Sequence, residues 1–252
     1  MVDVVTAPRE NTRLDDLAVI FPAYNEEARI AEAVERALEV GAGRVVCVND
    51  CSTDGTASVL GAYAEYAKVD VVHHRVNQGK QAAVKHGLQK ALETEGLHRF
   101  ATMDADMQDD PATLVKLGSV VGEYDMACSL RTRAEMPVVR RLANFLASAP
   151  YRFLARVNIH DVQAGYRVYS REVAECLAEN LPGEGGYTLE HTSYPLFGWL
   201  AVERGRAFRI AEVPNPCVYA GSESHIKIRD NIQLTLASMR CAWQLSRWTR
   251  GQ

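Results

Sequence analysis

LAVIFPAYNEEARIAEAVERALEVGAGRVVCVND, residues Leu17–Asp50, carries one full turn of an alternating strand and helix pattern. Leu17–Phe21 is a short apolar run stopped at Pro22, which reads as a buried strand. A helix is expected from Glu26 to about Val40, because Ile30, Val34 and Leu38 recur every fourth residue and line one face. Glu26 and Glu27 would sit in its first turn, where the helix dipole favours acids. Gly41 and Gly43 close the helix, and Arg44–Val48 begins the next strand.

The pattern repeats downstream. Thr53 or Asp54 can cap a helix running to about Ala67, followed by a strand at Val69–His73. A helix over Gly79–Thr94 places Val84, Leu88 and Leu92 on one face, and Arg99–Met103 forms a fourth strand. Such alternation predicts an α/β fold: a mostly parallel, Rossmann-like sheet with helices on both faces. Beyond Asp110 the expectations are a helix opening at Pro111, a strand at Asp125–Leu130, a helix from Val138 to about Arg156, a loop at 158–170 and a strand at Arg206–Val213. The division expected is a loose arm over 1–16, one domain over 17–222 and an amphipathic C-terminal helix over 223–252.

In parallel sheets, ligands bind past the carboxyl ends of the strands. Four polar loops follow four strands here: PAYNEE (22–27), NDCSTDGT (49–56), HRVNQGK (74–80) and DADMQDD (104–110). Asp104 and Asp106 leave a strand end one residue apart, a pattern suited to one hard divalent cation, with Gln108 able to add a carbonyl oxygen. The same acids also fit a solvated turn before a helix. Asp50 can accept hydrogen bonds from a base edge, Tyr24 can stack on a base, and Glu26 can reach ribose or base. Lys80, in the first turn of its helix, can face a phosphate. No GxxxxGK[ST] Walker loop occurs.

Composition narrows the function classes. A formal charge of -4, from 28 basic and 32 acidic residues, shows no excess of the kind a nucleic-acid binder needs. The six cysteines, Cys47, Cys51, Cys128, Cys176, Cys217 and Cys241, are scattered without a CxxC pair, which points to reduced thiols rather than zinc or disulfides. Residues 1–16 lack the apolar core of a signal peptide, and no stretch approaches ~18 uncharged apolar residues. A cytoplasmic protein, peripheral to the membrane at most, is therefore expected. Ile226–Trp248 places Ile228, Ile232, Leu236, Met239 and Trp243 on one helical face flanked by Arg229, Arg240, Arg247 and Arg250. Such a stripe can lie on a membrane surface, but more often it packs on its own domain or on a partner helix.

Taken together, P-A-Y-N-E at 22–26, N-D-C-S-T-D-G-T at 49–56, N-Q-G-K at 77–80 and D-A-D-M-Q at 104–108 resemble glycosyltransferase family 2, whose fold is called GT-A. S-L-R-T-R at 129–133, D-V-Q-A-G-Y-R at 161–167 and A-E-V-P at 211–214 bring it nearest to the dolichyl- and polyprenyl-phosphate sugar synthases. The resemblance implies that Pro22, Tyr24, Glu26, Val48 and Asp50 hold a nucleotide-diphosphate sugar, of GDP-mannose or UDP-glucose type. It implies Mg²⁺ or Mn²⁺ on Asp104, Asp106 and Gln108, with Ala105 beside the diphosphate. Arg131 and Arg133 would hold donor or acceptor phosphate, since a guanidinium pairs with two phosphate oxygens. Glu190 lies where relatives place a base, and Asp161 is a second candidate. The chain departs from the pattern at Asn49, where Asp is common, at Cys51, where Gly is common, and at Ser224-His225, where a Ser-Lys pair is usual; Lys227 is the candidate substitute.

The expected activity is inverting transfer of a hexose to a polyprenyl phosphate. A soluble hydroxyl acceptor is the alternative within the class. A non-catalytic nucleotide-sugar-binding module is the alternative outside it. A sugar-1-phosphate nucleotidyltransferase would need a Gly-rich phosphate loop near the N-terminus, which this sequence lacks.

Overall fold

The computed structural model describes residues 2–5, 13–110, 112–131, 159, 164–182 and 189–215. Its centre is an eight-stranded sheet in the order β1-β8-β6-β7-β5-β2-β3-β4. In chain order the strands are β1 (Val2–Val4), β2 (Leu17–Ala23), β3 (Arg44–Asn49), β4 (Val69–His73), β5 (Arg99–Thr102), β6 (Met126–Arg131), β7 (Arg167–Ser170) and β8 (Ile210–Asn215). The helices are α1 (Ile30–Glu39), α2 (Thr56–Gly61), α3 (Lys80–Leu92), α4 (Thr113–Val120), α5 (Arg171–Asn180) and α6 (Leu189–Glu203). Every pairing is parallel except those of β7, which runs antiparallel to both β5 and β6.

Two apolar layers cover the sheet faces. Ala18, Ile20, Val46 and Val48 of β2 and β3 point to the layer of α3, α5 and α6. Their neighbours Val19, Phe21, Val45 and Cys47 point to the layer of α1 and α4. The strands are thus buried on both faces, which explains why LAVIF and VVCV read as continuous apolar runs rather than alternating ones. Helix α3 lies close against the sheet at Gly87, where a Cβ would stand 2.4 Å from Ile20 Cγ2 and 3.2 Å from Val48 Cγ2.

The structure corrects the sequence reading at several places. Val2–Val4, expected in a loose arm, pairs in parallel with Ile210–Glu212 at the sheet edge. Helix α1 starts at Ile30, not Glu26: the Ile30 N–H donates to the Glu26 carbonyl at 2.9 Å, but Arg29, at φ -128°, departs from helical backbone just before it. Helix α2 stops at Gly61; the chain to Tyr66 continues in tight turns bonded between residues three apart. Arg167–Ser170, expected in a loop, is the inserted strand β7, too short for its four residues to reveal a period. The last strand spans Ile210–Asn215 and includes Pro214, which was expected to close it. Among the described residues, Pro214 pairs with β6 alone, beyond the end of β1, where a residue without N–H is tolerated. The expected helices over 138–156 and 226–248 lie outside the described residues.

Candidate active site

The carboxyl ends of β2, β3, β4 and β5 bring the four polar loops to one edge of the sheet. The first two are laced together. The Asn25 N–H donates to Ser52 Oγ at 3.0 Å, and Asn25 Oδ1 accepts from the Thr53 N–H at 2.8 Å. The Glu26 N–H donates to Thr56 Oγ1 at 2.9 Å, and Glu27 Oε2 accepts from the Gly55 N–H at 2.9 Å. Asp54 Oδ1 accepts from the Thr56 N–H at 3.0 Å, so Asp54 supplies the acceptor for the start of α2, while the Thr53 hydroxyl turns to Asn25.

Among the described residues, three non-glycine residues have left-handed backbones: Asn25 at φ 58°, Cys51 at φ 58° and Met107 at φ 61°. Each lies in a different one of these loops. Such conformations persist only where surrounding contacts over-determine them, and they cluster at functional sites. At Cys51 a glycine would take this conformation without a Cβ penalty.

Asp50 is buried, and its carboxylate is the hub of the third loop. Oδ1 accepts from the Gln78 N–H at 2.8 Å, and Oδ2 accepts from the Gly79 N–H at 2.7 Å. The Nδ1 of His74 lies 2.7 Å from Oδ1 and carries the proton, because a carboxylate only accepts. The Nε2 of His74 stands 2.8 Å from His86 Nδ1 on α3. Burial, then the charges of His74 and Lys85, hold the His86 ring below its ordinary value of 6.5, which keeps it neutral near pH 7. Asp50 was expected to meet a base edge; in the structure its oxygens organise residues 74–79 and set the start of α3.

Lys80 opens α3, and its Nζ lies 2.8 Å from Asp104 Oδ1 and 3.0 Å from Oδ2. Asp104 and Asp106 follow β5. Asp106 Oδ1 accepts from the Gln108 N–H at 3.0 Å across the left-handed Met107. Burial raises the Asp106 carboxyl above the ordinary carboxylate value; the negative charge of Asp104 adds to this, while the Gln108 N–H, Lys80 and Arg29 oppose it. Burial also raises Glu26, partly offset by its bond from Arg29 and reinforced by Asp106 and Asp104. Three carboxylates therefore share one electrostatic neighbourhood.

Among the described residues, no group of three or more His, Cys, Asp or Glu side chains is arranged to hold a metal ion. Two carboxylates beside an open edge match the other way a hard cation is held, with the remaining positions filled by substrate phosphate and water. Burial raises the Asp106 carboxyl and the charge of Asp104 adds to it, and a bound cation would offset both.

Other expected site residues fall as follows. Tyr24 stands about half exposed at the rim, 48%. Pro22 lies beside Val48 in register between β2 and β3. Val48 and Ala105 are buried in the core, so neither side chain lines an open surface. Arg131 is the last residue of β6, and Glu190 lies in the first turn of α6. Arg133, Asp161, Ser224, His225 and Lys227 lie outside the described residues. Asn25, His74, His86 and Gln81 also hold this site together, and none of them belongs to the residues expected there. Only Asn25 carried a local signal, because Asn tolerates the left-handed region.

Among the described residues, no helix is long and apolar enough to cross a membrane. Cys47, Cys51, Cys128 and Cys176 are free thiols.

The chain is similar to known proteins along most of its length. It is 32% identical over 205 residues to the polyprenol monophosphomannose synthase of Mycolicibacterium smegmatis, covering 78% of this chain and 75% of that one. It is 26% identical over 221 residues to the UDP-N-acetylglucosamine--dolichyl-phosphate N-acetylglucosaminyltransferase of Methanococcus voltae, covering 80% and 85%. Its fold matches Mycobacterium tuberculosis glucosyl-3-phosphoglycerate synthase, crystallised with Mn²⁺, UDP and glucosyl-3-phosphoglycerate, at a TM-score of 0.65 and 18% identity over 95% of this chain and 87% of that one. This is the GT-A arrangement expected from the loops. The sequence profile of glycosyl transferase family 2 matches residues 18–178, a span that takes in all four laced loops and strand β7, and the chain is a glycosyltransferase belonging to that family.

Proposed function

We propose that the chain transfers a hexose from a nucleotide-diphosphate sugar to a polyprenyl phosphate, with inversion at the anomeric carbon. The observation that carries this reading is the 32% identity, over three quarters of both chains, to a polyprenol monophosphomannose synthase. Tyr24, Glu26 and Pro22 receive the nucleotide, and Asp50 acts by holding residues 74–79. Asp104 and Asp106 hold Mg²⁺ or Mn²⁺, with Gln108 beside them. The cation supplies Lewis-acid neutralisation of charge on the departing diphosphate. Lys80 adds a fixed positive charge next to the same carboxylates. Arg131 and Arg133 hold phosphate. A phosphate acceptor is already ionised near pH 7 and needs no strong base; a hydroxyl acceptor would place that task on Glu190. The C-terminal amphipathic stretch suits work at a membrane surface, with the lipid acceptor presented from the bilayer.

The test is transfer from GDP-mannose and UDP-glucose to a short-chain polyprenyl phosphate or to soluble hydroxyl acceptors, with Mn²⁺ or EDTA. Transfer to the lipid phosphate should require the metal, and Asp104→Asn should lower it by at least about 100-fold with little change in melting temperature. Turnover only of soluble acceptors would sink the lipid reading, and full activity in EDTA would sink the metal.

A further inference from the structure

Helix α6 is apolar on most sides: Leu189, Tyr194, Leu196, Phe197 and Leu200 are all buried. Contacts of this kind fix depth but resist sliding and rotation poorly. The helix also contains Pro195, which has no N–H to return to the carbonyl four residues back. Its first turns, which carry Glu190, therefore have one helical bond fewer to the turns that follow.

Three consecutive residues of those turns are held from outside by buried polar groups. The Thr192 hydroxyl donates to Gln81 Oε1 at 2.6 Å. Arg167 of β7 donates to Ser193 Oγ at 3.0 Å and to Tyr194 Oη at 3.1 Å. Gln81 is 1% exposed, and its Nε2 donates to the Pro182 carbonyl at 3.0 Å. Lys85 and Gln89, one and two turns along α3, donate to the Leu181 and Ala178 carbonyls at the end of α5. The Gln81 side chain therefore binds both ends of the α5–α6 connection. It also directly follows Lys80, which pairs with Asp104.

We infer that Gln81 is a positioning residue: it fixes the first turns of α6, and with them the acceptor side of the site, against the donor loop. Burying an amide and a guanidinium is costly unless both are hydrogen-bonded, and apolar residues would pack here as densely. What the polar contacts add is direction, because a hydrogen bond fails with a small rotation where a methyl contact does not. The inference rests on the glycosyl transfer proposed above.

The experiment compares the wild-type chain with Gln81→Leu, Thr192→Val and Thr192→Ser. It reads donor nucleotide affinity by calorimetry, and kcat and acceptor KM for the best acceptor found in the transfer assay. A displacement of about 1 Å can cost on the order of 100-fold in rate. Gln81→Leu and Thr192→Val should therefore lose about 10- to 100-fold in acceptor kcat/KM, with nucleotide affinity within about twofold and Thr192→Ser near wild type. Should Gln81→Leu fail to fold, the Thr192 pair decides alone. Unchanged acceptor kinetics in Thr192→Val, or an equal loss of nucleotide affinity, would overturn the inference. An inactive wild type would instead count against the proposed transfer itself.

Discussion

His74 and Asp50 form a buried pair, Nδ1 to Oδ1 at 2.7 Å, within a chain that continues through His74 Nε2 to His86 on α3. The Asp50 carboxylate also takes two backbone N–H groups from residues 78 and 79. Removing it leaves three donors without their acceptor in a buried place. Asp50→Ala should therefore cost about 3 kcal/mol of stability, measured by urea unfolding. Nucleotide affinity should fall with it, because the start of α3 loses its anchor. Unaltered stability would show that water replaces the carboxylate without penalty.

Cys51 holds a left-handed backbone at φ 58°. The thiol makes one long contact, Sγ to the Arg75 carbonyl at 3.6 Å, which contributes little. Cys51→Gly should thus raise stability by up to about 1 kcal/mol, as the Cβ penalty disappears and outweighs the added freedom of the unfolded chain. Thermal and chemical denaturation of the variant check this directly. A loss of stability would mean that the thiol contact or chain entropy dominates.

Gly87 sets the distance of α3 from the sheet. An added methyl would overlap Ile20 Cγ2 at 2.4 Å, and Ile20 is a buried strand residue that cannot swing away. Gly87→Ala should cost about 2 kcal/mol despite the better helix propensity of alanine. The cost should be smaller in an Ile20→Ala background, which a double-mutant cycle measures as a coupling energy.

Asp125 gathers Arg204, Arg206 and the Arg209 N–H, far along the sheet from the polar loops. Burial opposes its ionisation. Hydrogen bonds from Arg206 and the Arg209 N–H, with the charges of Arg206 and Arg204, overcome that and hold the carboxyl below its ordinary 3.8. Because the folded value is the lower one, the stabilisation is fully present above about pH 4 and fades as pH falls through the folded value. Asp125→Asn should lose roughly 3 kcal/mol at pH 7 and show a flatter acid limb in a stability-against-pH series. Parallel acid limbs for the two proteins would remove Asp125 from the account.

The alternation of apolar runs and helical periods was readable along the chain because each signal is local. Leu17–Phe21 shows that a strand is buried on both faces, and Ile30 and Val34 show which side of α1 meets the sheet. The chemistry of the loops was readable for the same reason: Asp104 and Asp106 are one residue apart, so their convergence needs only a strand end. Tertiary structure decided what no local period records. It inserted Arg167–Ser170 between β5 and β6, turned Asp50 inward onto residues 74–79, and joined Gln81 to Thr192 across 111 positions. Propensity and periodicity act over a few residues, whereas these partners meet only once the sheet order has set which distant segments lie side by side.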